Sequence, residues 1–448
     1  MIQAELQSGK LDNKFIIEAV ISHDRTRFQR NAKYVTGDNP KILSRTFADT
    51  KAPHNNTPVP YARKIANTVA GYMYKPGLIT YMSDKPGYIE AIQEVFYQND
   101  EDVKSSLLGR AAGIDGIAFE LHYTDGTMPR FAKVPAEELI PVYDYAVEPK
   151  LIAGIRNFKR GKDWKVEVYY SADIDYFTMK ETAVTGKYTG VSELILEDSK
   201  PHLYGQVPVA VFDNNEELVG DFEPVIPLID AYDVLISDSM NEFDRFAYAY
   251  LVLKGLSMKK EDADIVKQLR MFTAPGSDWS VEFLTKDIPF GFIEFMTTLI
   301  RKEIHKQSHV PDFSEVATGT FTGAALDRVL YDFELVASVK EAMFKKGLYK
   351  RLELIDGILR KRGGLDGEVR DVEIIMHRNK PTSLIEMGDA MIKYAGIISD
   401  KTLIENFAPF VKDADEEMKQ RAEESAARMP DVFDEDDDGE DDRPDAEE

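Results

Sequence analysis

The stretch Ala324–Arg362, AALDRVLYDFELVASVKEAMFKKGLYKRLELIDGILRKR, decides the fold. Leu326, Val329, Phe333, Val336, Val339, Met343, Leu348, Leu352, Ile355 and Leu359 recur mostly at steps of three and four, the period of an α-helix. At 1.5 Å per residue such a helix spans roughly 60 Å, far beyond an ordinary one. Gly347 and Gly357 inside it cost about 1 kcal/mol each against alanine, which leaves room for a bend, and Gly363-Gly364 ends it. Downstream, Glu368 to Met376 reads as a strand and Pro381 to about Met429 as helix, capped by Thr382 or Ser383.

Upstream, Val310–Gly323 holds Pro311, Gly319 and Gly323 with few charges and reads as a loop. Ile293, Met296, Ile300 and Ile304 predict a helix over 290–307. Residues 256–288 are a compact interruption with Pro275-Gly276, a short helix near Glu261 to Leu269 and a strand over Trp279 to Leu284. From Glu223, with Pro227 in the first turn, Leu228, Tyr232, Leu235, Ile236, Phe243, Phe246, Ala247 and Tyr250 predict one helix that reaches Lys254 and stops at Gly255. Its other face carries Asp230, Asp233, Ser237, Asn241 and Asp244.

Residues 115–212 switch to period two. Ile117–Tyr123 runs into the turn Thr124-Asp125-Gly126, and Leu151–Phe158 and Trp164–Tyr170 flank a second hairpin. With Ile174–Met179 and Val207–Phe212 they predict an antiparallel meander of about six strands. Helices are expected around Lys14–Ile21, from about Pro60, over Gly87–Tyr97 and over Asp102–Ala112, with breakers at Gly37–Pro40 and Lys51–Pro58. The fold class is mixed α+β.

The 448 residues include 55 Lys+Arg, 79 Asp+Glu and no cysteine, which excludes disulfide scaffolds, thiolate metal sites and cysteine nucleophiles. No apolar run approaches the ~18 residues of a membrane span, and a secretory signal is missing, so neither spanning nor secretion is expected. Of the net charge of −24, a share of −11 sits in Asp431–Glu448, which is too acidic to bury apolar area and is expected to be disordered. Asp434, Asp436, Asp438, Gly439 and Asp445 approach an EF-hand spacing, but the last ligand is not Glu, so no calcium site is read. A net-negative protein is a poor DNA clamp, because affinity comes from Lys and Arg at phosphates; it suits a surface that DNA slides past.

Neither phosphate-binding glycine loop is present, nor G-x-S-x-G nor H-E-x-x-H. His305 and His309 stand one helical turn apart, but Lys302 and Lys306 beside them oppose a cation, so they read as a solvated helix end. Asp230, Asp233 and Asp238 read as solvated acids of a polar helix face, not as catalytic carboxylates. Phe313 and Phe321 are of a type that stacks on bases, but aromatics in a loop more often pack locally. No enzyme, metal or cofactor is expected. Two rival readings are a carboxylate-based carbohydrate- or nucleic-acid-processing enzyme and a monomeric helical scaffold or adaptor.

The order helix, interruption, helix, Gly/Thr loop, very long helix resembles the portal proteins of tailed double-stranded DNA bacteriophages. Pro58-Val-Pro-Tyr-Ala-Arg-Lys-Ile-Ala-Asn-Thr-Val-Ala-Gly-Tyr72 is similar to an early segment of their wing domain. Ile236–Gly255 is similar to their first stem helix, Val310–Gly323 to their tunnel loop and Ala395–Thr402 to the start of their crown. The resemblance covers about residues 15 to 425. It implies a wing over 1–222, stem helices over 223–255 and 289–309, a clip over 256–288 facing the packaging motor, and a tunnel loop over 310–323. A long wing helix with its returning strand would follow over 324–379, then a crown over 380–430. It further implies a ring of twelve or thirteen copies at one capsid vertex of the virion, assembled in the host bacterial cytoplasm. Double-stranded DNA would pass through its channel. The terminase large subunit, a head-completion or adaptor protein, the major capsid protein and a scaffolding protein would be partners. On that mapping Asp230, Asp233 and Asp244 line the channel, and Phe313, Thr318, Gly319, Thr320, Phe321 and Thr322 project into it. Lys259, Lys260, Lys302 and Lys306 would make transient phosphate contacts.

Overall fold

A computed structural model of the chain describes residues 2–47, 53–126, 128–161, 163–181, 191–247, 250–254, 280–284, 290–313, 323–363, 365–380, 384–407, 411 and 414–428. The chain divides into two compact units. One holds residues 1–320 and 328–379, and the other holds 321–327 and 380–448.

The first unit opens with strand β1 (Ile2–Gln3) and helices α1 (Asn13–Ser22), α2 (Arg25–Thr36), α3 (Pro40–Leu43) and α4 (Tyr61–Met73). The breaker Gly37–Pro40 works at both ends: Gly37 closes α2 in the left-handed region (φ 88°), and Asn39 caps α3, whose first residue is Pro40. Strand β2 (Ile79–Met82), α5 (Pro86–Asn99) and α6 (Glu101–Asp115) follow. Then come β3 (Ile117–Asp125), β4 (Met128–Val134), β5 (Leu139–Tyr143), β6 (Leu151–Arg160), β7 (Asp163–Tyr169), β8 (Asp173–Glu181), β9 (Val191–Pro201) and β10 (Val209–Asp213).

These strands form two sheets, where the period-two pattern suggested one meander. Strands β5 to β9 are the meander, extended at one edge by β1 parallel to β5. The other sheet has the order β10-β3-β4, in which β10 pairs with a strand almost ninety residues earlier. Alternation specifies which face of a strand is apolar; it does not specify the neighbour, and this pairing is non-local. Val142, Ala153, Ile155, Val166 and Val168 of the first sheet form a core with Ile16, Ala19 and Val20 of α1.

Helix α7 (Ile226–Ala247) stops earlier than its periodicity predicts. Tyr250–Lys254 is strand β11, paired antiparallel with β12 (Ser280–Leu284). Its sequence, Tyr-Leu-Val-Leu-Lys, suits a pleated ladder as well as a helix, and the partner strand decides. The predicted helix near Glu261–Leu269, the cap at Thr382 or Ser383 and the acidic tail lie outside the described residues.

Helix α8 (Phe290–Ser308) precedes α9 (Gly323–Arg362), which is continuous over 40 residues. Leu330, Phe333, Ala337, Phe344, Leu348, Leu352 and Ile355 form its buried side. Strand β13 (Glu373–Met376) returns antiparallel to β2, shorter than expected because Glu368 and Asp371 cap a 3₁₀ turn in front of it. Within the second unit, α10 (Leu384–Tyr394) leads to α11 (Asp400–Phe407) and α12 (Ala414–Arg428). Lys401–Asp415 (2.8 Å) and Arg421–Asp400 (3.3 Å) tie the last two helices. No helix among the described residues is long and apolar enough to cross a membrane.

One ionic network anchors α9. Arg351 is completely buried, with its guanidinium over the rings of Phe131 (4.8 Å) and Phe212 (5.5 Å). Its Nε and Nη2 donate to Glu120 of β3 (both 2.8 Å), and its Nη1 donates to Glu101 (2.6 Å) and Ser105 (2.7 Å) of α6. Tyr81 of β2 donates to Glu101 at 2.8 Å, and His122 sits 3.0 Å from Glu120. A guanidinium can leave water only when its donors are met by carboxylates in this way. Burial would raise Glu120, but Arg351 and His122 hold it down at about 2, and burial pushes His122 below the usual histidine range.

Candidate functional site

The polar side of α7 is a ladder for the chain's own backbone. Asp230, Asp233, Ser237 and Asn241 are buried, and the segment 53–60 lies over them. The amides of Asn55, Thr57 and Val59 donate to Asn241 Oδ1 (2.6 Å), Ser237 Oγ (2.9 Å) and Asp233 Oδ1 (2.9 Å). Two residues of extended chain advance about 6.6 Å and four residues of helix about 6.0 Å. Alternate amides of the segment therefore meet every fourth residue of the helix. Asn55 Nδ2 extends the ladder to Asp244 Oδ2 at 2.6 Å. At the other end Asn39 Nδ2 donates to Asp233 Oδ2 (2.7 Å) and Asp230 Oδ1 (3.0 Å), and Tyr34 donates to Asp230 Oδ1 (2.7 Å). Burial, with Asp230 beside it, holds the Asp233 carboxyl above the usual carboxylate range against the opposing hydrogen bonds from the Val59 amide and Asn39.

This corrects the reading of Asp230 and Asp233 as solvated acids. Within the subunit both are buried: Asp230 by Tyr34, Asn39 and Lys41, and Asp233 by Asn39 and the Val59 amide. Asp244 is half-exposed and holds Asn55, and Asp238 pairs with Arg45 at 2.8 Å. The sequence did carry a signal: Asp, Ser and Asn at four-residue steps are short side chains suited to reading a backbone, whereas a solvated face favours Lys and Glu. Ser237→Ala leaves the Thr57 amide without its acceptor. It is expected to cost about 1 kcal/mol, read as a lower chemical-denaturation midpoint.

On α8, Lys302 and Lys306 are exposed. His305 is not part of a solvated end: it is 7% exposed, and its Nδ1 bonds the Val310 carbonyl at 2.8 Å. The helix reverses at His309, and the returning chain covers His305. Phe313 is half-buried, while Lys259, Lys260, Thr318, Gly319, Thr320, Phe321 and Thr322 lie outside the described residues. No group of three or more potential metal-ligating side chains occurs among the described residues.

Three helices also leave apolar side chains in water. On α9, Tyr331, Leu335 and Val339 recur every four residues and are 64%, 55% and 51% exposed, opposite the buried side of the same helix. On α8, Phe292, Phe295 and Leu299 share one face and are also exposed, as are Met240 and Phe243 on α7. Surface of this kind on long helices marks contact with other protein.

Among the described residues, then, the polar side of α7 is taken up by internal partners, and α7, α8 and α9 carry exposed apolar side chains. Residues 15–431 match the family model described as "Phage portal protein, SPP1 Gp6-like", and the chain belongs to that family. It is a structural, non-enzymatic component of a phage virion with a portal role. The portal protein of Bacillus phage SPP1 is 25% identical over 367 residues, covering 77% of this chain and 71% of that protein. The portal protein of Clostridium phage phiCD119 is 23% identical over 412 residues, covering 86% and 87%. Among solved structures, a chain of the neck of an empty GTA particle computed with C6 symmetry superposes with a TM-score of 0.49 at 9% identity. It covers 86% of this chain and 94% of that one.

Proposed function

We propose that the chain is the repeated wedge of a closed ring, of twelve or thirteen copies, at one capsid vertex of the virion. Double-stranded DNA enters and leaves through its central channel. The observation that carries this reading is the exposed apolar stripe Tyr331–Leu335–Val339 on the long helix of a portal-family chain. In a closed ring each copy covers such a face of the next, whereas a monomer leaves it in water. Twelve copies at −24 bring a charge of roughly −290 to the ring, a field that keeps duplex phosphates from sticking. Asp230 and Asp233 contribute to it only from inside the fold. Transient phosphate contacts fall to the exposed Lys302 and Lys306, with Lys259 and Lys260.

On this reading 1–222 and 324–379 form the wing, 223–255 and 289–309 the stem, and 310–323 the tunnel loop. Residues 256–288 form the clip that meets the terminase large subunit and later a head-completion protein. The wing touches the major capsid and scaffolding proteins, residues 380–430 form the crown, and assembly takes place in the bacterial cytoplasm. The test is mass: capsid-derived protein should run near twelve or thirteen times 50.7 kDa and show rings in negative stain. A monomer of 50.7 kDa in capsid-derived material would refute the ring. Leu335→Asn removes one buried apolar contact per interface and is expected to weaken association roughly tenfold, seen as a larger monomer fraction on dilution.

A further inference from the structure

A cluster of charged side chains closes the end of α8. His309 turns the chain in the left-handed region (φ 56°), and the residues after it fold back on α4 and α8. Val310 is buried, and its carbonyl accepts from His305 Nδ1 at 2.8 Å. His305 Nε2 is then free to accept from Lys64 Nζ, 3.5 Å away. The Asp312 carboxylate is 10% exposed and receives Lys64 Nζ at 2.9 Å. Arg301 Nε stands 3.8 Å from it and His305 Nε2 3.5 Å. Tyr61, one turn before Lys64, sets its ring edge-on to His305 with centroids 6.0 Å apart. Two cations from two helices, Lys64 of α4 and Arg301 of α8, thus face one nearly buried carboxylate.

We infer that Asp312 is a positioning residue for the channel: with Lys64 it fastens the exit of α8 to α4. It thereby sets where the segment expected to meet DNA leaves the stem. The inference rests on the ring reading above. A segment that touches moving DNA takes load along its own chain. Among the described residues the His309 amide bonds the Lys306 carbonyl at 3.3 Å in the turn after α8, and the side-chain clamp to a second helix gives that exit a fixed place. The arrangement needs a cation at Lys64 and an anion at Asp312.

The test uses full-length Asp312→Asn, Lys64→Met and Lys64→Arg, each assembled into particles. Three quantities are read: ring mass, DNA packaged per particle and hydrogen exchange of the amides of Val310, Asp312 and Phe313. The Asn and Met variants should form rings of wild-type mass, package several-fold less DNA and exchange those amides at least tenfold faster. Lys64→Arg should match wild type in all three. Wild-type packaging by Asp312→Asn or Lys64→Met overturns the inference, and so does a defect of equal size in Lys64→Arg. If the wild-type chain forms no ring, the ring reading fails by itself, and the exchange measurement on that chain still shows whether the clamp exists.

Discussion

Arg351→Met is expected to lower stability by about 3–5 kcal/mol, the largest effect of any substitution considered. The substitution keeps the volume and removes the charge, so Glu120 and Glu101 stay buried without the cation that faces both. Most of the loss is the desolvation of two stranded carboxylates, and it should therefore shrink when they are neutralised. The variant Arg351→Met with Glu120→Gln and Glu101→Gln is expected to recover much of it. Equal denaturation midpoints for the single and triple variants would contradict the account.

Acid supplies an independent check. Glu120 is held at about 2 in the fold against 4.5 ordinarily, so its contribution is complete above pH 4.5 and is lost as the pH falls toward 2. His122 is depressed by burial, so the unfolded chain takes its proton first and stability also falls as the pH drops below about 6.5. In Arg351→Met the Glu120 carboxyl loses its guanidinium and burial raises it, so acid favours that variant's fold. The stability gap between wild type and variant should narrow from pH 7 to pH 3. A gap that stays constant would show that the charge pairing does not cause it.

The second large effect sets two glycines of α9 against each other. A Cβ at Gly347 would lie well within van der Waals contact of the ring of Phe212, which is completely buried and packs on Phe344 at 4.9 Å. Such a ring cannot step aside, and overpacking of this kind costs about 1–3 kcal/mol. That exceeds the roughly 1 kcal/mol that alanine gains in helix propensity, so Gly347→Ala should destabilise and Gly347→Leu more so. At Gly357 the nearest atom to a Cβ is the Tyr204 carbonyl oxygen at 3.4 Å, an ordinary contact. Gly357→Ala should therefore stabilise by up to about 1 kcal/mol. Denaturation midpoints that move in the same direction for both alanine variants would defeat the explanation.

Those two glycines show where sequence reading reaches and where it stops. Both look like breaks in a long helical pattern, yet Gly347 is the notch through which Phe212 of β10 crosses, a contact between residues 135 positions apart that no local pattern carries. The α7 acids are a second case. Periodicity put Asp230, Asp233 and Asp244 on one polar face, but water and a buried ladder look alike to a helical period. The amides that decided between them come from residues 55–59, nearly two hundred positions away. The end of α7 is a third, since Tyr250–Lys254 becomes a strand only because Ser280–Leu284 pairs with it.

The family was legible as a resemblance of several stretches in consistent order. The sequence by itself also determined the long helix, most of the two helices before it, the alternation of the strands and the want of enzymatic motifs. Each of these is written in short-range spacing, where neighbouring residues report directly on period and turn. Tertiary structure alone decided which acids are buried, which strands are partners, why Gly347 stands where it does and which helix faces remain open. Those outcomes are set by contacts between distant segments, and they follow from what covers a side chain, not from what precedes it.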